Sequence, residues 1–424
     1  MKPLFILAGL RSPFCRSGSS LAGCDAAELG RSVVQALLTT TGIDPGGLSE
    51  VIFGCVSQPA DSANIARVIA LRAGVPEHVP AATVHRNCGS GLEAVTAAAE
   101  RMAAGKGDLF VVGGVESMTN MPLLFPRSAA GKFAALAKAK TFMQRLGAMF
   151  GFRPSDFKPV VALRLGLTDP VVGMNMGETA ELLAREAGLT RDDLDEFSLR
   201  SHRRAAAAKA KLAEEITPIY IGREKRSVAD QDNGVRPDSS LEALARLKPI
   251  FDPAHGMVTA GNSSQVSDGA VALLVGSEEQ AAKLGLTPLG RLVSYAWAGC
   301  DPRRMGLGPV QAIAKLARET RLTPKDADIV EINEAFAAQV LAVLAQLRSP
   351  DAGRAYGITE PLGEPASENL NPNGGAIALG HPVGASGARL VLTALKELQR
   401  RNAKRALISL CIGGGQGGAA WLER

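Results

Sequence analysis

A cysteine with nucleophilic potential stands at the start of a predicted helix. Cys88 lies in the run His85-Arg86-Asn87-Cys88-Gly89-Ser90-Gly91-Leu92, between a short strand-like segment and the first turn of that helix. Unpaired N–H groups and the positive end of the helix favour a thiolate, and the flanking glycines let a substrate approach the sulfur closely. We therefore predict that Cys88 is a nucleophile. Four other cysteines are expected to be small apolar core residues, namely Cys15, Cys24, Cys55 and Cys300.

Three polar residues in the C-terminal part of the chain occupy positions that commonly hold reactive groups. His381 lies in a glycine-rich loop just before a predicted helix, where an imidazole can serve as a base or an oxyanion donor. Cys411 follows the apolar strand 406–410 and precedes three glycines, and Asn333 follows another apolar strand. Strand ends that open into loops are where α/β proteins place reactive groups. Any one of these three residues could simply belong to a turn. All three together with Cys88 are hard to explain by turn formation, so we predict that the four share one site.

The elements that must position these residues alternate between strands and helices. Five apolar strand-like runs are separated by helical stretches, and these runs are Glu50 to Cys55, Leu109 to Val112, Ala270 to Val275, Ile329 to Ile332 and Ala406 to Leu410. This alternation predicts an α/β fold with helix-covered sheets.

Two distant segments, residues 89–114 and 385–415, repeat one order of features. Each begins at a Ser-Gly step, continues through a helix and a strand, and ends in glycines. Internal similarity of this kind indicates a duplicated architecture. We therefore predict two related halves, each with a helix that begins at a Ser-Gly step.

The stretch from 121 to 266 differs from both halves, with proline-rich joints, alanine-rich helices and a basic segment. Residues 121–170 carry eight Lys or Arg against two Asp, a balance of 8 − 2 = +6, whereas the whole chain carries +5. We interpret the stretch as a domain inserted into the first half. This leaves residues 1–120 plus 267–287 as the N-terminal half and residues 288–424 as the C-terminal half.

A basic amphipathic helix is predicted over residues 136–150, within the insertion. A helical projection places six large apolar side chains on one side and lysine, arginine and polar side chains on the other. One interpretation is a lid packed on a substrate cleft. The other is contact with a membrane surface or a partner protein, which such helices also make.

The composition excludes several classes of protein. With 424 residues, 46% hydrophobic and 21% charged, the chain has enough apolar material for two or three folded domains and too much for disorder. No run approaches the roughly 20 apolar residues that a bilayer span needs. A formal net charge of +5 gives no general reason to expect nucleic acid, and no cysteine pattern predicts a metal site. Because neither end carries a recognised sorting signal, we expect a cytoplasmic location.

Six blocks carry a resemblance to the thiolase superfamily of 3-ketoacyl-CoA thiolases, and the resemblance covers essentially the whole chain. In chain order the blocks are Asn87-Cys88-Gly89-Ser90-Gly91-Leu92, Gly114-Val115-Glu116-Ser117-Met118-Thr119, Thr259-Ala260-Gly261-Asn262-Ser263-Ser264, Asn333-Glu334-Ala335-Phe336, Gly380-His381-Pro382 and Cys411-Ile412-Gly413-Gly414-Gly415. The resemblance implies the family's fold: two similar βαβαβαββ halves form a layered α-β-α-β-α core, with a loop domain inserted in the first half.

The resemblance also implies a mechanism. Cys88, activated by His381, would attack the 3-keto carbon of a 3-ketoacyl-CoA, and acetyl-CoA would leave by carbon–carbon cleavage. Cys411 would protonate the departing carbanion and then deprotonate the incoming CoA. One oxyanion hole would comprise His381 and a water held by Asn333, and the other the backbone N–H groups of Cys88 and Gly413.

CoA would act as a substrate, and the resemblance implies no permanently bound cofactor and no metal. Similarity to the family points to three residues around the pantetheine and adenine end of CoA, and to three that line the thioester pocket. The first three are Ala260, Ser264 and Phe251, and the second three are Met176, Ala335 and Phe336.

The substrate implied by the resemblance is a 3-ketoacyl-CoA of fatty-acid β-oxidation. Where acetoacetyl-specific thiolases have a histidine, this chain has Asn175, which favours longer acyl chains. An acetoacetyl-CoA-specific acetyltransferase is the alternative. A condensing synthase of the ketoacyl-carrier-protein type would use a second histidine instead of Cys411 and Asn333, and an inactive lipid- or partner-binding subunit would lack Cys88 or His381.

The resemblance implies a homodimer or a homotetramer. The long basic insertion resembles that of thiolase subunits in fatty-acid oxidation complexes, whose partner is a hydratase/dehydrogenase chain. Our hypothesis is that residues 136–150 contact that partner or a membrane surface, in which case a cytoplasmic protein would be peripherally membrane-associated. No nucleic-acid partner is expected.

Overall fold

The first part of the chain alternates strands with helices, as the apolar runs predict. The structure is a computed structural model that describes residues 3–222 and 227–424. Up to residue 117 it contains β1 (Leu4–Arg11), β2 (Cys15–Arg16), α1 (Ala26–Thr41), β3 (Glu50–Gly54), α2 (Ile65–Arg72), β4 (Ala81–Val84), α3 (Ser90–Ala103) and β5 (Leu109–Ser117). Side-chain caps start two of these helices, because Asp25 accepts from the Glu28 N–H and Asn64 accepts from the Arg67 N–H.

Mostly short elements, with one 17-residue helix as the exception, make up the inserted region that follows. They are β6 (Leu123–Leu124), α4 (Arg127–Lys138), α5 (Phe142–Phe150), β7 (Val160–Val161), α6 (Ala162–Gly166), α7 (Met176–Glu186), α8 (Arg191–Ala207), α9 (Lys209–Ala213), β8 (Ile219–Ile221), β9 (Ser227–Ala229) and α10 (Leu241–Ala245). Within the described ranges, no helix combines the length and apolar character needed to span a bilayer.

The single helix predicted over residues 136–150 is in fact two helices. α4 ends at Lys138, and α5 begins at Phe142 after Thr141. The Thr141 side chain accepts from the Gln144 N–H, and the Gln144 side chain accepts from the Thr141 N–H, which is a capping box that starts a new helix. The prediction was wrong because the apolar periodicity continues across the break and hides the cap.

The remainder of the chain returns to long strands and helices. It contains β10 (Ser267–Gly276), α11 (Glu278–Leu284), β11 (Gly290–Gly299), α12 (Gly308–Thr320), β12 (Ile329–Ile332), α13 (Ala337–Leu347), α14 (Ala376–Leu379), α15 (Val383–Arg401), β13 (Arg405–Ile412) and β14 (Gln416–Glu423). The strands predicted here from apolar runs are all present, and most are longer than their apolar cores.

One ten-stranded sheet joins the two halves, in the order β12-β13-β14-β11-β1-β10-β5-β3-β4, with β2 paired to β10. β1 connects the halves because Leu4 to Ile6 pair with β11. The order β3-β5-β10-β1 corresponds to β12-β13-β14-β11, and in both series the first pair is parallel and the others antiparallel. The prediction of two related halves in an α/β fold is confirmed.

Helices α3 and α15 lie side by side in the centre, and α1, α2 and α12 pack on the sheet outside them. Alternate residues of β5 face different layers: Val112 belongs to the central apolar cluster and Val111 to the outer one. A Cβ on Gly91 would lie 2.7 Å from the Ala388 nitrogen, and one on Gly387 would lie 2.5 Å from the Leu92 nitrogen. The Ser-Gly step of each repeat is therefore where the two central helices approach most closely.

Candidate active site

Cys88 lies in the tight turn between β4 and α3, where hydrogen bonds fix its position. The preceding Asn87 has φ 42°, in the left-handed region. Its side-chain N–H donates to the Gly413 carbonyl at 2.8 Å. The Ser90 hydroxyl donates to the Asn87 carbonyl at 2.7 Å and accepts from the Arg86 N–H at 2.9 Å. The start of α3 thereby holds Cys88 against the C-terminal glycine turn.

Cys411 and Gly413 lie where β13 turns into β14. The Cys411 side chain is buried in a small apolar cluster with Met305 and Ala335. The turn is formed by the glycines at 413–415, of which the last two have φ values of 87° and 78°. Glycine suits these positions because side chains rarely tolerate a left-handed backbone. The turn leaves Gly413 facing the same cavity as Cys411.

His381 is oriented by Ser386, one turn into α15. The Ser386 hydroxyl lies 2.9 Å from the Pro382 carbonyl and must donate to it, because a carbonyl oxygen can only accept. The Ser386 oxygen also lies 2.6 Å from His381 Nδ1. Nδ1 therefore carries the proton, and Nε2 keeps a lone pair. Nε2 lies 3.4 Å from the Asn333 amide nitrogen.

Burial sets the protonation states of these groups. Burial, and then the Arg389 charge, lower the pKa of His381 to about 4, so the imidazole is neutral at pH 7. Burial raises the pKa of the Cys88 thiol to about 11, although the Gly413 N–H acts in the opposite direction. At Cys411, burial and then the charge of Cys88 raise the pKa well above its ordinary value.

Both thiols are consequently protonated at neutral pH. The thiolate expected at Cys88 from its place at a helix N-terminus is not the resting form, because loss of hydration destabilises the anion more than the N–H groups stabilise it. A base must therefore remove the Cys88 proton. The neutral imidazole of His381, whose Nε2 carries a lone pair, is chemically suited to do so.

Asn333 is followed by a carboxylate that anchors the glycine-rich loop. Glu334 accepts from the Ser201 hydroxyl at 2.6 Å and from the Asn371 side-chain N–H at 2.8 Å, and burial raises its pKa. Asn371 also accepts from the Ile332 N–H at 2.9 Å. Asn333 is itself buried, and its Oδ1 accepts no hydrogen bond from the part of the protein that the structure describes. This oxygen can therefore hold a water molecule.

The residues singled out from the sequence converge on one cavity of about 450 Å³. Cys88, His381, Cys411 and Gly413 line it, and Asn333 lies behind the imidazole. The six residues assigned to CoA line the same cavity, namely Met176, Phe251, Ala260, Ser264, Ala335 and Phe336. Among the described residues, no group of three or more His, Cys, Asp or Glu side chains is arranged to hold a metal ion.

Backbone pairing positions the cavity wall assigned to CoA. The Ser264 N–H donates to the Ala335 carbonyl at 2.9 Å, and the Ala337 N–H donates to the Asn262 carbonyl at 2.9 Å. The Phe251 ring lies directly on Gly177, where a Cβ would come within 2.0 Å of the ring. The wall is thus fixed by contacts between the insertion, the 259–264 loop and the start of α13.

Several cavity residues were not assigned from the sequence. Met118 follows the end of β5, and its place in a block that also contains Glu116 was a usable signal. Leu167 and Ile250 come from the insertion, where no local pattern indicates them. Ser386, which contacts His381 from outside the cavity lining, was not assigned either, although its place one turn after His381 in the sequence was a usable signal.

The insertion closes one side of the cavity, but not with the segment expected. Leu167, Asn175, Ile250 and Phe251 line the cavity, whereas none of the described residues in 136–150 does. The lid interpretation of that segment is therefore wrong. The apolar side chains of α5 face outward instead, since α5 has no buried residue.

The sequence and the structure both resemble known proteins over their whole length. Family models of the thiolase N-terminal domain and of the thiolase C-terminal domain match residues 4–279 and 286–424. The chain is 43% identical over 430 residues to the beta-ketoadipyl-CoA thiolase of Escherichia coli and 42% identical over 429 residues to the acetyl-CoA acetyltransferase of Cupriavidus necator, with 100% of each chain covered. The crystal structure of human mitochondrial 3-ketoacyl-CoA thiolase in complex with CoA matches with a TM-score of 0.84 and 34% identity, covering 100% of this chain and 98% of that one.

Proposed function

Because the chain belongs to the thiolase family and is an acyltransferase, we propose that it cleaves 3-ketoacyl-CoA with CoA, giving acetyl-CoA and a shortened acyl-CoA. One observation carries the proposal: two thiols and one neutral imidazole line a single cavity. Thiolytic cleavage needs a nucleophile that holds the acyl group and an acid that protonates the leaving carbanion. Cys88 and Cys411 are suited to these two roles.

Cleavage begins at Cys88. His381 Nε2 accepts the Cys88 proton while the sulfur attacks the 3-keto carbon, and the carbonyl oxygen becomes an oxyanion. When the carbonyl re-forms, the bond between C2 and C3 breaks, and its electron pair passes to C2 of the leaving acetyl-CoA. Cys411 protonates this carbanion, which leaves an acyl thioester on Cys88, a Cys411 thiolate and an imidazolium.

The second half of the reaction returns these protons. The Cys411 thiolate takes the proton of incoming CoA, for which its raised pKa makes it a sufficiently strong base. The CoA sulfur then attacks the acyl group on Cys88 and releases the shortened acyl-CoA. The departing Cys88 thiolate regains its proton from the His381 imidazolium, so that both thiols and the imidazole return to their resting forms.

Two oxyanion holes serve these steps in the proposal. The backbone N–H groups of Cys88 and Gly413 converge because Asn87 binds the Gly413 carbonyl, and they stabilise one oxyanion. His381 and a water held by Asn333 stabilise the other. Such a water donates one hydrogen to the otherwise unpartnered Asn333 Oδ1 and has the second available for the substrate oxygen.

CoA enters this scheme as a substrate, and no permanently bound cofactor is required. In the proposal, Ser264, Ala260 and Phe251 contact its pantetheine and adenine end, and Met176, Ala335 and Phe336 surround the thioester. The mostly apolar wall suits the pantetheine arm, and the related human structure was solved with CoA.

The decisive experiment is a coupled assay of CoA-dependent cleavage across 3-ketoacyl-CoA chain lengths. Cys88→Ala is expected to lower kcat by roughly 10⁴-fold or more, because no acyl-enzyme forms. Cys300→Ala is the matched control, since this half-buried cysteine lies outside the cavity, and it is expected to retain wild-type turnover. Substantial activity in Cys88→Ala contradicts the assignment of the nucleophile.

The proposal extends to a role in fatty-acid β-oxidation in the cytoplasm. Asn175, in place of the histidine of acetoacetyl-specific members, lines the cavity and supports longer acyl chains over the acetoacetyl-CoA alternative. A homodimer or homotetramer, with a hydratase/dehydrogenase partner, completes the proposal. Light scattering of the purified protein measures its oligomeric state, and light scattering with a candidate partner added measures whether the two bind.

A peripheral contact through α5 is the last part of the proposal. Phe142, Met143, Met149 and Phe150 are 76%, 73%, 60% and 82% exposed, and the surrounding residues 121–170 carry an excess of positive charge. Exposed apolar side chains flanked by cations suit an anionic membrane surface or a partner protein. In vesicle flotation, the wild-type chain should float with the vesicles, and a variant with serine at the four positions should not. Equal flotation of the two proteins would contradict a membrane contact through α5.

A further inference from the structure

A second cavity of about 460 Å³ meets the first one at the nucleophile. Both cavities are lined by Cys88, Gly413 and Met176. From there they diverge: the first continues to Ala260 and Ser264, and the second to residues 163–171 of the insertion.

Two arms extend from the carbon that Cys88 attacks, which is a requirement of the proposed substrate. One arm carries the thioester and CoA, and the other is the remainder of the acyl chain. Since the first cavity holds the residues assigned to CoA, the second is the space available to the acyl chain.

The lining of the second cavity is apolar with an acidic contribution. Its apolar side chains include Met118, Met121, Leu163 and Leu165. Among the described residues that line it there are two carboxylates, Glu116 and Asp169, and no lysine, arginine or histidine.

Backbone N–H groups already occupy both carboxylates. Glu116 accepts from the N–H groups of Val56, Ser57 and Gly384 at 3.0, 2.8 and 3.0 Å. Asp169 accepts from the N–H of Val171 at 2.8 Å and from the next residue at 3.1 Å. The two carboxylates therefore stabilise the cavity wall. They provide no positive charge that could bind an anionic group of a ligand.

We propose, on the basis of the function proposed above, that this cavity selects an uncharged, apolar acyl chain and rejects a short chain that ends in a carboxylate. A buried carboxylate without a cationic partner is strongly disfavoured, and repulsion from Asp169, and from Glu116 in its ionised form, adds to the cost. In 3-oxoadipyl-CoA the terminal carboxylate lies only three bonds from the attacked carbon, so it is held close to Cys88. Leu165 and Val171, which line the cavity and are 56% and 82% exposed, form its solvent-exposed rim.

In this proposal the chain prefers a different acyl group from the one for which a relative at 43% identity, a beta-ketoadipyl-CoA thiolase, is named. Identity over the whole length reflects mainly the shared fold, whereas acyl preference depends on a few side chains of the insertion. The charge of those side chains, not the overall identity, is expected to decide the substrate.

A matched pair of six-carbon substrates tests the proposal. 3-Ketohexanoyl-CoA and 3-oxoadipyl-CoA differ only in a terminal methyl or carboxylate group, and kcat/KM for the first is expected to exceed that for the second by at least about 100-fold. Comparable or reversed values overturn the inference and leave the thiolase function intact. If the wild type cleaves neither substrate nor acetoacetyl-CoA, the proposed function itself fails, and this inference fails with it.

A pair of variants tests whether charge is the cause. Met121 is half-buried, and its methyl group lies near Gly166 in the same wall. The quantity compared is the ratio of kcat/KM for 3-ketohexanoyl-CoA to kcat/KM for 3-oxoadipyl-CoA. Met121→Lys is expected to lower this ratio at least tenfold, because the added cation raises kcat/KM for 3-oxoadipyl-CoA. Met121→Gln, which has a side chain of similar length and no charge, is expected to leave the ratio near the wild-type value. Thermal unfolding of both variants verifies that they fold. Equal shifts in the two variants, or no shift in either when both are folded, contradict the electrostatic explanation.

Discussion

The N-terminal half ends its strand β5 at Glu116 and Ser117, whereas the C-terminal half ends the corresponding strand β13 at Cys411 and Ile412. Glu116 accepts three backbone N–H groups, one of them from Gly384 at the start of α15, and so ties the halves together. The Cys411 side chain instead faces the cavity. The end of the corresponding strand therefore holds the structure together in one half, and in the proposed function it carries a catalytic group in the other.

The starts of the two central helices differ in a comparable way. Ser90, at the start of α3, fixes the turn that presents Cys88. Ser386, at the equivalent Ser-Gly step of α15, binds the ring of His381. The Ser-Gly steps of the two central helices therefore lie beside one cavity, and in the proposed function the residues next to them supply a nucleophile in one half and a base in the other.

Cys411→Ala tests whether the end of β13 differs from the end of β5 in having a chemical role, and it is expected to have the largest effect. We expect kcat to fall by about 10³-fold or more, because nothing protonates the leaving carbanion. Cys88 remains, so prolonged incubation with acyl-CoA should still add an acyl group to its peptide, as seen by mass spectrometry. The double variant with Cys88→Ala should show no adduct, and near-normal turnover of Cys411→Ala would place the chemistry elsewhere.

Alanine substitutions of Ser386 and Ser90 test whether these two serines have different roles. The pKa of His381 is about 4, so activity should fall as the pH falls through that value, because the imidazolium cannot accept the Cys88 proton. Ser386→Ala should lower kcat by roughly tenfold and move this acidic limb to lower pH, since the imidazolium loses its acceptor.

Ser90→Ala is the matched control for the pH profile. It should lower kcat/KM through a looser Cys88 turn and leave the position of the limb unchanged. The measurement is kcat/KM from pH 3 to 8 for the wild type and both variants. A shifted limb in Ser90→Ala, or an unshifted one in Ser386→Ala, would mean that the two serines are not specialised.

Glu116→Gln should have the smallest effect, on the pH dependence of stability. Burial raises the pKa of Glu116 to about 7, so between its ordinary pKa of about 4.5 and 7 the unfolded chain loses this proton before the folded one. The group therefore costs increasing stability as the pH rises through that window, and the cost levels off above it.

Urea unfolding at pH 5 and pH 7.5 measures this effect. Relative to the wild type, Glu116→Gln should gain stability between the two values, by on the order of 1–3 kcal/mol. Glu278→Gln on exposed α11 is the control and should show no such gain. An identical pH dependence of the wild type and Glu116→Gln would mean that this carboxylate is charged throughout the window.

Local signals predicted much of the fold and the reactive groups. The apolar runs located β3, β5, β10, β12 and β13, and the Ser-Gly steps located both central helices. The start predicted at the second step was wrong, because α15 begins at Val383, one turn earlier. The continuous helix over residues 136–150 was wrong because a Thr141 cap breaks it without disturbing the periodicity. In the insertion, Leu167 and Ile250 line the cavity through packing that no local pattern encodes.

Residue types, glycine turns and apolar periodicity act over a few neighbouring positions, so they were enough to predict which groups can react and which elements carry them. The cavity shared by Cys88 and Cys411, the contact between Ser386 and His381, and the two carboxylates that line the second cavity could be read only from the folded chain. Contacts between distant segments, and the burial that shifts each pKa, arise only when α3 and α15 pack between the two parts of the sheet.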